Sequence, residues 1–173
     1  IACVDGQNWY FEPLTDPGIV YVFGGGHLSQ ALIPLLTTVG FRCVVADDRE
    51  EFSNPELFPQ AEKVTLVDFS YLSEFQVRPC DYVVVMTRGH QHDYHVLSQM
   101  LRTGAFYIGM IGSRKKIEAT FQRLREDGFS QETLEKIHTP IGLAIKAETP
   151  EEIAVSITAE MILERAKRRG SSK

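Results

Sequence analysis

The chain has few cysteines, no excess of positive charge and no long hydrophobic run. Cys3, Cys43 and Cys80 form no C-x-x-C pair, so they predict neither a disulfide framework nor a zinc site and favour a reducing, cytoplasmic setting. The formal net charge of −5 argues against nucleic acid as a partner, because nothing offsets phosphate repulsion. The longest apolar runs, such as residues 82–86, fall far short of the ~20 residues that span a bilayer. We therefore expect neither a nucleic-acid nor a membrane role.

Short β-branched runs alternate along the chain with longer stretches of helical periodicity. We expect strands at residues 19–23, 43–46, 64–67, 82–86, 106–111 and 141–145, and helices near 27–39, 91–103, 114–127, 130–137 and 150–168. The strand runs are continuously apolar, which is typical of strands covered on both faces. The sequence therefore predicts an α/β fold: a doubly wound parallel sheet of about six strands, Rossmann-like, with helices on both faces.

The length of 173 residues fits one domain, since single domains run to roughly 100–200 residues. The chain starts at Ile1, and its first residues lack both the basic region and the apolar core of a signal peptide. We expect residues 1–18 to be a connecting segment or the tail of a missing N-terminal domain. Residues 19–168 are expected to form a nucleotide- or cofactor-binding domain, and residues 169–173 a flexible basic tail.

A glycine-rich turn links the first expected strand to the first expected helix. Gly24 allows a tight turn, and Gly26 lets backbone N–H groups approach a pyrophosphate; Gly25 lies between them. Ser29 takes the third small position of this G-x-G-x-x-[small] pattern. A tight strand-to-helix turn without a ligand is the alternative interpretation of three consecutive glycines. The order of strand, loop and helix favours a nucleotide or cofactor site.

The acid that follows the second expected strand bears on the type of cofactor. Asp47 lies ~20 residues beyond the glycine turn, where an acid binds a ribose hydroxyl in nucleotide-binding sheets. It favours the free 2′-hydroxyl of NAD, whereas Arg49 could neutralise the 2′-phosphate of NADP. An NAD(P)-dependent oxidoreductase is therefore one hypothesis, in which His90 is the acid–base group and Asp93 orients it.

Three of the five histidines fall in segment 87–95, after the fourth expected strand. Thr87, His90 and Asp93 suit a polar loop that faces a ligand at the carboxyl ends of the strands. Metal binding by the histidines and Asp93, and a solvated helix start, are the alternatives. No compact motif such as H-E-x-x-H is present, so we predict no metal site.

Three cations crowd the start of the helix that follows the fifth expected strand. Gly112 and Ser113 precede Arg114, Lys115 and Lys116, and Ser113 has the hydroxyl of an N-cap residue. Cations are unfavourable at the positive end of a helix dipole, so we expect an anion such as a phosphate to complete this site. The alternative is that these long side chains extend into solvent.

Five ordered motifs resemble the XdhC/CoxI family, the accessory factors of xanthine dehydrogenase and related molybdenum hydroxylases. They are YVFGGGH at 21–27, DDR at 47–49, Thr87 with His90 and Asp93, IGMIGSR at 108–114, and PIGL at 140–143 with TPEEIA at 149–154. The resemblance covers roughly residues 10–165 and is to the C-terminal Rossmann domain of that family. The family's separate N-terminal domain, with its Gly-Gly-Cys segment, has no counterpart in these residues.

The resemblance implies a function that composition and spacing do not show. Family members bind molybdenum cofactor (molybdopterin), which carries a pterin and a phosphate, or a nucleotide form of it, and aid its insertion into an apo-hydroxylase. The implied partners are that hydroxylase, of xanthine dehydrogenase type, and a cofactor sulfurase. A cofactor-binding chaperone is thus favoured over a catalyst, with NAD(P)-dependent oxidation as the alternative. The apolar last helix, near residues 153–163, also favours a homodimer.

The residues expected to bind the cofactor lie on the three loops and after the second strand. They are Gly24, Gly25, Gly26, His27, Leu28, Asp47, Arg49, Thr87, His90, Gly112, Ser113 and Arg114. Catalytic residues beyond the candidates His90 and Asp93 are not predicted.

Overall fold

Five parallel strands form the central sheet, as seen in a computed structural model that describes residues 2–4, 7–9 and 16–170. In chain order the strands are β1 (Ala2–Val4), β2 (Gln7–Trp9), β3 (Ile19–Phe23), β4 (Arg42–Asp47), β5 (Lys63–Leu66), β6 (Tyr82–Val85) and β7 (Tyr107–Met110). The helices are α1 (His27–Thr38), α2 (His90–Met100), α3 (Arg114–Glu126), α4 (Gln131–Glu135) and α5 (Pro150–Gly170). Strands β1 and β2 pair antiparallel in a separate two-stranded sheet.

The central sheet has the strand order β5-β4-β3-β6-β7, and every neighbouring pair is parallel. The chain builds outward from β3 through β4 to β5, then crosses back to place β6 on the other side of β3. The order therefore reverses between β3 and β6, and a crevice at such a reversal is where open α/β sheets bind ligands. The predicted Rossmann-like parallel sheet is confirmed.

The sixth expected strand, at residues 141–145, is wrong. The neighbour of β7 is a single parallel bridge between Gly109 and His138. The His138 N–H donates to the Ile108 carbonyl at 2.9 Å, and its own carbonyl accepts from the Met110 N–H at 3.0 Å. Pro140 has no N–H to donate to the Met110 carbonyl, and the Ile141 N–H donates to it instead, at 3.0 Å. The register therefore shifts by one residue, and regular pairing does not continue through 141–145.

Helices cover both faces of the sheet, as predicted, because successive strand residues point to opposite sides. On one face Val20 and Val22 of β3 pack in a buried cluster with Ile157 and Met161 of α5. On the other face Phe23 belongs to a second buried cluster that includes residues of α2 and α3. Both clusters are made of buried apolar side chains, so each helix layer is held to the sheet by hydrophobic burial.

The last helix, α5, begins with a capping box. The Thr149 hydroxyl accepts from the Glu152 N–H at 3.2 Å, and the Glu152 carboxylate accepts in return from the Thr149 N–H at 3.1 Å. The helix extends to Gly170, and residues 171–173 of the expected basic tail lie outside the described residues. No described helix combines the length and the apolar character needed to cross a bilayer.

Candidate functional site

Three loops meet at the carboxyl edge of the sheet, because β3, β6 and β7 all end there. The first contains Gly24–Gly26 and leads into α1, the second contains Thr87 and leads into α2, and the third contains Ser113 and leads into α3. The Gly24 N–H donates to the Ala46 carbonyl of β4 at 2.7 Å. A Cβ on Gly24 would clash with the Met86 carbonyl, so the first two loops are in direct contact.

The glycine loop leaves the start of α1 open. Gly24 has φ +114°, which favours glycine, and a Cβ on Gly25 would clash with the Phe52 carbonyl. Gly26 differs, because a Cβ there would meet no atom within 4 Å. Gly26 is also the N-cap of α1 and provides no side chain to cap the first-turn N–H groups. The helix start therefore combines space around the Gly26 Cα with first-turn N–H groups that no side chain caps, and uncapped helix starts of this kind bind anions.

The remaining glycine-loop residues divide between surface and core. His27 is exposed, whereas Leu28 is partly buried against the core cluster of α1. Ser29, 1% exposed, donates from its hydroxyl to the Gly24 carbonyl. The hydroxyl thus links the first turn of α1 to the start of the loop, which a Gly or Ala at this position would not do.

Asp47 ends β4, as predicted, and its carboxylate is fully engaged within the chain. Oδ1 accepts from the Arg49 N–H at 3.0 Å and from Arg49 Nε at 2.9 Å. Oδ2 accepts from the Gly25 N–H at 2.7 Å and from Arg49 Nη2 at 3.0 Å. Burial alone would raise the pKa of Asp47, but the hydrogen bonds from Arg49 and Gly25 outweigh it and hold the pKa below its usual value.

Arg49 also stacks on an aromatic ring. Its guanidinium carbon lies 3.8 Å from the centroid of the Phe52 ring, and its side chain is 20% exposed. Phe52 ends the short 3₁₀ turn Glu50–Phe52, and the Phe52 carbonyl lies against Gly25. The residues after β4 therefore form a small packed unit over one side of the glycine loop.

An ion pair that includes a buried carboxylate joins the first turns of α2 and α3. The Thr87 hydroxyl donates to Asp93 Oδ1 at 2.6 Å, and Lys116 Nζ lies 2.6 Å from Asp93 Oδ2. Asp93 is completely buried, so Lys116 neutralises a carboxylate that water does not reach. This charge pairing fixes the start of α3 against the start of α2.

The structure does not bring His90 together with Asp93. His90 is exposed at the first position of α2, and among the described residues it contacts neither the Asp93 carboxylate nor any other ionic partner. His92 Nε2 lies 3.8 Å from Asp48 Oδ2. Within the described part of the chain, no three His, Cys, Asp or Glu side chains are grouped to hold a metal ion.

Exposed cations remain around the third loop. Ser113 caps α3, as expected, by accepting from the Lys116 N–H at 3.4 Å. Of the three first-turn cations only Lys116 has an acidic partner, whereas Arg114 and Lys115 are exposed and form no ion pair with any described residue. The same holds for the exposed Arg88 on the second loop. The edge of the sheet at which α1 starts therefore also carries exposed positive charge.

A second polar cluster, around Glu160, is not predicted by the sequence. The Glu160 carboxylate of α5 accepts from the Tyr107 hydroxyl at 2.7 Å and the Gly142 N–H at 2.7 Å, and lies 2.9 Å from His138 Nδ1. Burial, with the adjoining Glu160, raises the pKa of Tyr107. The available signal was a single acid inside the apolar stretch of α5. His138 also lines a cavity of about 610 Å³ beside Phe106, which precedes β7, rather than at the three loops.

These features define the class of the protein: a Rossmann domain, with its glycine loop at the point where the strand order reverses. The family is then identified by comparison. The family model described as the XdhC Rossmann domain matches residues 20–161, and the chain belongs to that family.

Relatives agree with this assignment. The chain is 32% identical over 148 residues to YqeB of Escherichia coli, covering 84% of this chain and 27% of that protein. It is 32% identical over 156 residues to a Bacillus subtilis protein named as a probable subunit of xanthine dehydrogenase, covering 90% of this chain and 45% of that protein. It is 29% identical over 79 residues to the molybdenum cofactor insertion chaperone PaoD of Escherichia coli, covering 46% of this chain and 25% of that protein.

A solved structure shows the same fold. The crystal structure of a Bacillus halodurans protein described as a xanthine dehydrogenase superposes with a TM-score of 0.77 at 32% identity, covering 90% of this chain and 45% of that one. The chain therefore spans between about a quarter and a half of the length of the relatives it matches.

Proposed function

We propose that this domain binds molybdenum cofactor, as molybdopterin or a nucleotide form of it, at the carboxyl edge of the sheet and aids its insertion into an apo-hydroxylase of xanthine dehydrogenase type. The observation that carries the proposal is the uncapped start of α1 at Gly26. A Cβ on Gly26 would meet no atom within 4 Å, and the same edge of the sheet carries Arg88, Arg114 and Lys115, cations that form no ion pair with any residue of the described ranges. Membership of the XdhC family and the similarity to a named cofactor insertion chaperone support the choice of cargo.

The residues fit the phosphate of such a ligand. The N–H groups at Gly26, His27 and Leu28 begin α1 and are the donors that helix starts offer to phosphate oxygens. Arg114 can add a charge-assisted hydrogen bond and Lys115 a point charge. Arg88 contributes the same sign of charge from the second loop. A dianionic phosphate is thus matched by donors and charge, although the whole chain is acidic.

The contacts of Asp93 favour a carrier over a catalyst. Its carboxylate is held by Thr87 and Lys116, so it does not orient His90 for proton transfer. The alternative of an NAD(P)-dependent oxidoreductase gains no support from the comparisons.

The cofactor sulfurase, the cytoplasmic location and the homodimer stay predictions. For the homodimer, the apolar face of α5 includes the exposed Ile162 and Leu163, and sedimentation velocity showing a monomer at every concentration would exclude it.

Calorimetry with purified molybdopterin and with molybdenum cofactor tests the proposal. The Arg114→Ala variant should bind about tenfold or more weakly than the wild type, because a charge-assisted hydrogen bond contributes about 1.5–3 kcal/mol. Arg125→Ala is the matched control, since Arg125 lies on the same helix and pairs with Glu118 away from the loops. No binding by the wild type, or equal affinity for the two variants, would contradict the proposal.

A further inference from the structure

The contacts of Asp47 give this acid a different task from the one its position predicts. We propose that Asp47 is a positioning residue that clamps the glycine loop to Arg49, so that the edge recognises a phosphate group without recognising a ribose. This inference rests on the phosphate site of the proposed function and narrows the class of ligand that the site takes.

The first argument is the number of acceptor positions. An ionised carboxylate has about four lone-pair positions for hydrogen bonds. Asp47 uses all four within the chain: three donors come from Arg49 and the fourth is the Gly25 N–H. Its side chain is only 2% exposed. A ribose diol would have to displace a charged, bidentate partner, and such pairs are among the stronger hydrogen bonds in proteins.

The second argument is space. In a dinucleotide site the acid after the second strand hydrogen-bonds the ribose 2′-hydroxyl. Here the Gly25 N–H bonds directly to Asp47 at 2.7 Å, so the glycine loop itself lies against this carboxylate. The Phe52 carbonyl rests where a Cβ of Gly25 would be, and Arg49 fills the adjoining volume by stacking on the Phe52 ring. The adenosine side of the crevice is therefore occupied by the protein itself.

What remains open is the phosphate side. A Cβ on Gly26 would meet no atom within 4 Å, and the exposed Arg114 and Lys115 begin α3 after the third loop, at the same edge of the sheet. The expected ligand is consequently a phosphate or pyrophosphate compound. The protein does not hold the rest of this ligand through a 2′,3′-diol bonded to Asp47. A pterin phosphate belongs to this class, and an adenine dinucleotide held through its ribose does not.

Ligand pairs that differ only in the diol test the proposal. We expect inorganic pyrophosphate, ADP and 2′,3′-dideoxy-ADP to bind the wild type within about threefold of one another in calorimetry. An acid that binds ribose would instead favour ADP over its dideoxy analogue by about tenfold or more. Asp47→Asn should weaken pyrophosphate and ADP by the same factor, because it loosens the loop that holds their shared phosphates. Glu56→Gln, at an exposed acid that forms no ion pair with any described residue, should change neither.

A measurement without ligand tests the clamp itself. In NMR hydrogen exchange, the Gly25 amide should be protected at least a hundredfold more than the Gly26 amide of the same loop. Equal exchange of the two amides would overturn the proposal, and so would tenfold tighter binding of ADP than of dideoxy-ADP that disappears in Asp47→Asn. A protected Gly25 amide with no binding of any phosphate compound would support the clamp and contradict the phosphate site of the proposed function.

Discussion

The Lys116→Ala substitution should destabilise the protein far more than its surface position on α3 suggests. Lys116 Nζ is 2.6 Å from the Oδ2 atom of Asp93, whose side chain is completely buried. Alanine removes the cation and leaves the carboxylate with Thr87 as its hydrogen-bond partner at 2.6 Å. The perturbation therefore leaves a buried charge uncompensated, one of the few mechanisms that give single substitutions large effects.

The size of the effect follows from burial. Breaking a buried ion pair by removing one partner typically costs about 3–5 kcal/mol. The Lys116 side chain is itself 24% exposed, so water can partly replace the ammonium, and we expect the lower end, about 3 kcal/mol. For a domain of this size that corresponds to a fall in Tm of about 6–12 °C.

Urea unfolding and calorimetry on three variants provide the assay. Lys115→Ala is the matched control, because Lys115 is the adjacent, exposed lysine without an acidic partner among the described residues and should change stability by less than about 0.5 kcal/mol. In the double variant Asp93→Asn/Lys116→Ala, a neutral side chain remains beside Thr87, and at least half of the loss should be recovered. If Lys116→Ala and Lys115→Ala were equally stable, the reasoning that an ion pair with a buried carboxylate joins the first turns of α2 and α3 would be refuted.

Two further predictions concern the glycine loop and α5. Gly25→Ala should lower the free energy of unfolding by about 1–3 kcal/mol, because the new Cβ would overlap the Phe52 carbonyl. The new Cβ of Gly26→Ala meets no atom within 4 Å, so this variant should keep wild-type stability. Thermal denaturation compares the two variants. Glu160 is buried, which alone would raise its pKa, but hydrogen bonds from His138, Tyr107 and the Gly142 N–H outweigh this and lower the pKa from 4.5. Since a lowered pKa adds stability that is present above pH 4.5 and is lost as the pH falls below it, Glu160→Gln should cost about 1–3 kcal/mol at pH 7. The difference from wild type should shrink in urea titrations below pH 4.5; a constant difference across that range would contradict the assignment.

Local patterns were enough to predict most of the fold. The apolar run at Ile19–Phe23, the glycines behind it and Asp47 at the end of β4 are signals carried by neighbouring residues, and each element formed where it was expected. The failure at residues 141–145 has the same origin. That run is apolar, yet Ile145 is 51% exposed, and Gly142 has φ +101°, so the segment leaves the sheet.

The partners inside the site could not be predicted in the same way. The position of Asp47 resembles that of a ribose-binding acid, and only the folded chain shows that Arg49 and Gly25 take its acceptors. Lys116 and Asp93 lie on different helices, and their contact depends on β6 and β7 being neighbours. Sequence spacing carries no direct signal for such pairs, because it does not state which helices start side by side.

The three cations in the first turn of α3 divide into one that pairs within the fold and two that we propose to act on a ligand. The fold offsets Lys116 with Asp93 and leaves Arg114 and Lys115 at the positive end of the dipole, where each cation costs a few tenths of a kcal/mol in the absence of an anion. Arg114→Ala should therefore slightly stabilise the ligand-free protein while weakening its binding of molybdopterin. Opposite signs for stability and binding are what a charge retained for a ligand produces, since a cation that merely supports the fold would lower both when removed. Chemical denaturation at low ionic strength, run beside calorimetry on the same variant, measures both signs, and a loss of stability in Arg114→Ala would contradict this division of roles.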